Sequence, residues 1–262
     1  MRSSRSIVET RRKELLKILY EYGKVSVQRL AEELKVSPLT IRRDLLKLEA
    51  IEKISRFYGG ASLDKNDIIG ESNIFSSAFT LNKLAIARYA AALVEDGDTV
   101  FINTSSTAVA ILQFITAKHV TIITNNARAM YEKFSNDINL IFSGGEMRFP
   151  KEAMVGDFAL NNLNTVTASK CFLGCNGITA NEGVTTAVMQ EASINRIMLT
   201  RVSGPRYILA DKSKIGRKLN FIYGSLKDIT VLITDTEAPP SLIDELKKSI
   251  AVHQVELPAR LP

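Results

Sequence analysis

The chain has 262 residues, 45% of them apolar and 24% charged, which is enough to bury cores in one small and one larger domain. No run reaches the roughly 18–20 uncharged apolar residues of a bilayer span, and the N-terminus is Arg/Ser-rich rather than an apolar signal core. No membrane partner is therefore expected, and the cytoplasm is the expected location. The net charge of +6 is uneven: residues 1–60 hold 14 Lys/Arg against 8 Asp/Glu, whereas residues 61–262 hold 20 of each. A positive excess confined to the first quarter points to a polyanion partner there.

In chain order, residues 9–22 place Leu15, Leu16, Ile18, Leu19 and Tyr22 at helical spacing, with Gly23 where helices stop. Ser26 is an N-cap for a second helix burying Val27, Leu30, Ala31 and Leu34. A turn at Lys35 and Val36 then leads to Ser37, another N-cap, with Pro38 at the first helical position. The third helix turns Ile41, Leu45 and Leu48 inward and leaves Ser37, Leu39, Thr40, Arg42, Arg43 and Lys47 outward. Two short amphipathic helices split by a tight turn, the second presenting its N-terminal turns, form a helix-turn-helix that reads DNA. Arginine's planar fork bonds guanine O6 and N7 together, so Arg42 or Arg43 is expected to read bases, with Lys47 and the cap region on phosphates. Residues 54–63, I-S-R-F-Y-G-G-A-S-L, alternate around a Gly-Gly pair as a β-hairpin wing would, with Arg56 as its DNA contact. The expected DNA-binding residues are Ser26, Ser37, Pro38, Thr40, Arg42, Arg43, Lys47, Arg56 and Tyr58.

Residues 64–81 show no sustained period and are expected to connect domain 1–63 to domain 82–262. Beyond them a helix over 83–94 precedes short apolar strands at 99–102, 120–123, 139–142, 171–173, 207–209 and 231–233, mostly separated by helical stretches. That alternation predicts a Rossmann-like α/β domain with a mainly parallel sheet.

In such sheets ligands settle outside the carboxyl ends of the strands. The loops there read Asn103-Thr104-Ser105-Ser106-Thr107, Thr124-Asn125-Asn126, Ser143-Gly144-Gly145, Gly174-Cys175-Asn176-Gly177 and Asp211-Lys212-Ser213-Lys214. Any one of them is ordinary helix-capping composition. Five in one domain, with Gly183-Val184-Thr185-Thr186 and Glu191-Ala192, point to a small anionic polyol. Backbone N–H groups and Lys214 would hold its phosphate, and Asn103, Asn176 and Asp211 its hydroxyls. The expected effector residues are Asn103, Thr104, Ser105, Ser106, Thr107, Thr124, Asn125, Gly144, Gly145, Asn176, Gly177, Glu191, Asp211 and Lys214.

An enzyme moving a proton between sugar carbons would need a positioned base. His119 only precedes a strand and His253 lies in the C-terminal tail, leaving Glu191 and Asp211 as carboxylates. Glu191 can equally stabilise a helix start, so no catalytic residue is assigned. Cys171 and Cys175 read as small buried hydrophobes, and neither a metal nor a cofactor is expected.

The segment S-P-L-T-I-R-R-D-L-L-K-L-E, followed by R-F-Y-G-G-A, resembles the signature of the DeoR family of bacterial transcriptional regulators. Two positions depart from it: Glu52 replaces a helix-ending glycine, and Tyr58 a histidine before Gly-Gly. The stretches D-G-D-T-V-F-I, T-I-I-T-N, S-G-G-E-M-R, M-V-G, F-L-G-C-N-G-I, G-V-T-T, Q-E-A and D-K-S-K-I-G resemble that family's sensor domain over residues 83–235. Its fold is similar to those of ribose-5-phosphate isomerase, glucosamine-6-phosphate deaminase and coenzyme A transferases. Here Asn103 stands for the usual aspartate and Ser105 for the usual glycine of a D-S-G-T-T motif. The resemblance implies a repressor of a carbohydrate uptake or catabolic operon, whose affinity for double-stranded operator DNA responds to a phosphorylated sugar or polyol. A homodimer or homotetramer is expected, because one winged module contacts too little DNA to be specific. The alternatives are a sugar-phosphate isomerase-like enzyme and a DNA binder with a vestigial, unresponsive sensor.

Overall fold

The structure, a computed structural model, describes residues 8, 11, 12, 14–16, 18, 19, 24–51, 54–57, 59–63, 81–149 and 151–257. The chain divides into two units, Met1–Ala78 and Phe79–Pro262. The connector expected at 64–81 lies outside the described residues except for Leu81, which starts a helix. Tyr22, Gly23, Glu52 and Tyr58 also lie outside them.

In the first unit the described residues between 8 and 19 are helical. They are followed by β1 (Lys24–Ser26), α1 (Val27–Glu33), α2 (Pro38–Ile51), β2 (Ile54–Phe57) and β3 (Gly60–Leu63). Leu15, Leu19, Leu30, Ile41, Leu45, Leu48, Ile54 and Ala61 form its core. The wing is a three-stranded antiparallel sheet in the order β1-β3-β2. The strand β1 was not foreseen, since three residues are too few to show a period. Gly59, with φ +91°, closes the hairpin, and its carbonyl accepts from the Val27 N–H at 2.8 Å, fastening the wing tip to the start of α1.

The second unit is built on seven strands: β4 (Thr99–Ile102), β5 (Val120–Thr124), β6 (Ile138–Phe142), β9 (Lys170–Gly174), β12 (Arg206–Leu209), β14 (Val231–Asp235) and β15 (Ala251–Val255). They lie in the order β15-β14-β12-β9-β4-β5-β6, every pair parallel. Successive side chains fall on opposite faces, so Val100, Ile102 and Phe172 join α3 (Leu81–Ala91) and α4 (Ser106–Val109) in one core. Phe101, Cys171 and Leu173 join α5 (Asp157–Asn164), α6 (Met189–Thr200) and α7 (Pro240–Lys247) in the other. The first helix of this unit therefore begins and ends earlier than the 83–94 expected from periodicity.

The assignment of His253 to a tail is corrected: residues 251–255 pair with β14 as the edge strand of the sheet. Their sequence hid them, because His253 and Gln254 interrupt the apolar run that marks the other strands. Two smaller sheets also escaped the sequence: the hairpin of β7 (Glu146–Arg148) and β8 (Ala153–Val155), and the antiparallel set of β10 (Gly177–Thr179), β11 (Gly183–Thr186) and β13 (Phe221–Gly224).

At the amino ends of the central strands, Lys170 bonds Asp98 at 2.9 Å and Glu95 at 2.7 Å. Burial pushes the Asp98 carboxyl up, but the Glu95 N–H, Lys170 and Ser169 outweigh it and hold the carboxyl below its ordinary value. Among the described residues no helix is long and apolar enough to cross a membrane.

Candidate functional site

On the first unit, Ser26 caps α1 by accepting from the Arg29 N–H at 3.2 Å. Ser37 caps α2 by accepting from the Thr40 N–H at 3.2 Å, with the two hydroxyls 2.9 Å apart. These caps fix where α2 begins, and so which residues its first turns present. Arg42, Arg43 and Lys47 are exposed, Ser37 and Pro38 likewise, and Thr40 is half-buried. Leu39 and Leu46 stand exposed beside the arginines at 58% and 51%. An aliphatic side chain there can meet a thymine methyl. Arg56 lies in β2 opposite Ala61. Tyr58 is outside the described residues.

Sequence reasoning missed how α2 is held. Asp44, on its inner face and 2% exposed, accepts from Arg11 Nε at 2.7 Å and Arg12 Nε at 2.8 Å. Two guanidiniums from the N-terminal helical segment thus neutralise one buried carboxylate in the middle of the exposed-face helix. The Arg-Arg pair in one helix and the Asp in another were visible separately, but nothing local linked them.

In the second unit the strand order reverses between β4 and β9, which is where a ligand crevice is expected. The structure closes that point with Asn103. Its Nδ2 donates to the Gly174 carbonyl at 2.8 Å and to Asn195 Oδ1 at 3.0 Å, while its Oδ1 accepts from the N–H groups of Gly174 at 3.0 Å and Ser105 at 3.3 Å. All of the amide's main bonding directions are used, so Asn103 acts as a staple across the two strands. Ser105 lies against Gly174, so closely that a side-chain carbon on that glycine would collide with the serine hydroxyl. The same hydroxyl accepts from the N–H groups of Thr107 and Ala108 at 3.2 and 3.4 Å. Thr104 and Ser106 are half-buried beside it, and Thr107 is buried.

Two groups of the expected residues do gather. One joins β11 to α6: Glu191, 3% exposed, meets Arg148 Nη1 at 3.3 Å, Lys151 Nζ at 3.1 Å and the Thr186 hydroxyl at 3.3 Å, and that hydroxyl also lies 2.8 Å from Asn176 Oδ1. The other surrounds Asp211, which caps the turn Lys212–Lys214 by accepting from the Ser213 N–H at 2.9 Å. Burial holds the Lys83 ammonium below its ordinary value, with Asp211 opposing and Lys214 reinforcing that shift. Lys83, Arg148 and Lys151 were not foreseen. They reach the crevice from α3 and from the β7–β8 hairpin, and no strand-end loop motif contains them.

The remaining candidates serve the frame. Thr124 Oγ1 accepts from the Asn126 N–H at 3.1 Å. Asn125 donates to the Met154 carbonyl at 3.1 Å, while its own side-chain oxygen is buried with no partner among the described residues. Gly144 and Gly145 turn the chain into β7, and at Gly145, with φ +106°, a side chain would meet the Val155 carbonyl. Gly177 starts β10 with the Arg217 carbonyl close by. Burial pushes the thiols of Cys171 and Cys175 up to about 12, which leaves them protonated and unreactive near neutral pH. Among the described residues no three His, Cys, Asp or Glu side chains group to hold a metal ion.

A model of the DeoR-like helix-turn-helix domain matches residues 11–67, and one of the DeoR C terminal sensor domain matches residues 79–236. The chain is 33% identical over 236 residues to the lactose phosphotransferase system repressor of Streptococcus mutans, covering 87% of this chain and 92% of that one. It is 30% identical over 259 residues to the uncharacterized HTH-type transcriptional regulator YulB of Bacillus subtilis, covering 97% and 99%. The lactose phosphotransferase system repressor of Staphylococcus aureus is 31% identical over 232 residues, covering 86% and 90%. A solved D-ribose-5-phosphate isomerase overlays 50% of this chain with 52% of its own at a TM-score of 0.37 and 15% identity, a partial overlap that says nothing of activity.

Proposed function

Since the chain belongs to the DeoR family of bacterial transcriptional regulators, we propose that it represses a carbohydrate uptake or catabolic operon, with operator affinity set by a phosphorylated sugar or polyol in its second unit. The observation that carries this reading is the convergence of Arg148, Lys151, Thr186 and Asn176 around the buried Glu191, beside the loop that follows β9, where cations can take a phosphate and polar groups can take hydroxyls. The relatives named as lactose phosphotransferase system repressors support the carbohydrate half of it. On the DNA side, Arg42 or Arg43 reads bases, while Lys47 and the Ser37 cap region position α2 on phosphates. A homodimer or homotetramer presents two or more such helices to repeated half-sites.

Proton-transfer catalysis fits the crevice poorly. A general base has to be poised in the unliganded site, and there Glu191 faces two cations and a hydroxyl while Asp211 accepts from the Ser213 N–H and hydroxyl. The protein is on this reading a sensor and not an isomerase.

The test is thermal unfolding of the full chain against a panel of sugar and polyol phosphates, where a ligand at a hundredfold its Kd adds about 2.7 kcal/mol. A compound that stabilises the protein must also change operator affinity. Lys214→Ala should keep operator binding and lose that response. A panel without effect, with operator binding intact, would leave a DNA binder indifferent to metabolites.

A further inference from the structure

Arg148 and Lys151 stand on the β7–β8 hairpin and the turn within it, and both point their charge at the buried Glu191 on α6. The cations are not themselves buried: their side chains are 33% and 41% exposed, against 4% for that of the glutamate. The hairpin is fastened to the end of β5, where the Met154 N–H donates to the Asn125 carbonyl at 2.7 Å and the Ala127 N–H to the Glu152 carbonyl at 3.0 Å. Asn125, 1% exposed, keeps a side-chain oxygen without a partner among the described residues. In the first loop the Ser105 hydroxyl already takes the N–H groups of Thr107 and Ala108, and Asn103 those of Ser105 and Gly174.

Resting on the regulatory reading above, we propose that Arg148 and Lys151 form the seat for a phosphate monoester, and that Glu191 fills it as an internal counter-anion until the ligand arrives. The charges favour an exchange. Two cations and one carboxylate leave a surplus of one positive charge, and a phosphate carrying nearly two negative charges neutralises the cations once Glu191 has turned away. A buried carboxylate cannot be left without donors. Ligand hydroxyls meet that need, beside the Thr186 hydroxyl that already faces Glu191. The site therefore demands both a phosphate and neighbouring hydroxyls in one molecule, which a bare phosphate or a neutral polyol lacks. Glu191 and Asn195 lie one turn apart on α6, and Asn195 bonds the Asn103 staple, so the exchange acts on the helix that also touches the strand-order reversal.

Calorimetric titration of the full chain with inorganic phosphate tests this. Glu191→Gln removes the competing charge and should tighten phosphate binding roughly tenfold or more, given the size of a contact-range charge interaction near a protein surface. Adding Arg148→Ala and Lys151→Ala to that variant should abolish the gain. Equal affinity in wild type and Glu191→Gln overturns the proposal, as does a gain that survives loss of both cations. If Glu191→Gln fails to melt cooperatively, Lys151→Met on the half-exposed turn decides: it should weaken binding of a sugar phosphate that stabilises the wild type, and unchanged affinity overturns the seat. A sugar phosphate that shifts operator affinity while Glu191→Gln gains nothing sinks this inference alone. The converse pattern, a phosphate gain without any operator response, sinks the regulatory reading and leaves the seat.

Discussion

The outer face of α2 and the crevice at the carboxyl ends of the sheet put the same kinds of side chain to opposite use. On α2, Arg42, Arg43 and Lys47 stand exposed, and the one acidic group within the helix's inner face, Asp44, is consumed by Arg11 and Arg12. In the crevice, Asn103, Glu191 and Asp211 are buried and already bonded. A DNA duplex is larger than the module reading it, so its contacts must be displayed on a surface. A small polar ligand has to be surrounded, and a surrounding pocket built of polar groups must satisfy them internally whenever it is unliganded. Reading a crevice residue as a ligand contact therefore requires knowing which partner it would have to give up.

The strongest way to break the contrast is Asp44→Ala. It leaves two guanidiniums without the carboxylate they share, and should destabilise the first unit by about 3 kcal/mol, seen in urea denaturation, with operator affinity falling as well. A loss confined to operator binding would mean that the pair is not structural. Asn103→Asp acts on the other region. It sets a carboxylate oxygen against the Gly174 carbonyl and Asn195 Oδ1, costing about 2 kcal/mol at neutral pH. Such a carboxyl would titrate above its unfolded value, so the defect should be small below the unfolded carboxylate range and grow as pH rises through the raised folded value. A pH-independent change in melting would show that the staple tolerates charge. Arg42→Ala and Arg43→Ala sharpen the comparison from the exposed side: stability should stay put, while the base-reading one of the two loses roughly 1–3 kcal/mol per half-site and blurs a single base position. Uniform weakening over all sequences would assign both to phosphates.

Much of the fold was legible because its signals are local. Ser26, Ser37 and Pro38 announce helix starts, Gly59 and Gly60 a hairpin, and six apolar runs six of the seven parallel strands. The seventh, at 251–255, was not legible, since His253 and Gln254 break its apolar run, whereas the other edge strand, 138–142, keeps Ile138, Leu140, Ile141 and Phe142. The crevice was legible only as a set of loops. Loop composition reports that Asn103 and Ser105 follow a strand. It does not report that β9 arrives beside β4, that Asn103 is spent on Gly174 and that Ser105 packs against that glycine.

By itself the sequence determined the DNA-reading module, the alternation of helix and strand, and the end of the sheet where polar groups collect, because these follow from caps, turns and periodicities within a few residues. Tertiary structure alone decided which of those groups remain to meet a ligand. Arg148 and Lys151 come to Glu191 from a separate hairpin, and Asn195 comes to Asn103 from a helix far along the chain. Charge pairing acts through space, and a chain position carries no record of the distance it will close.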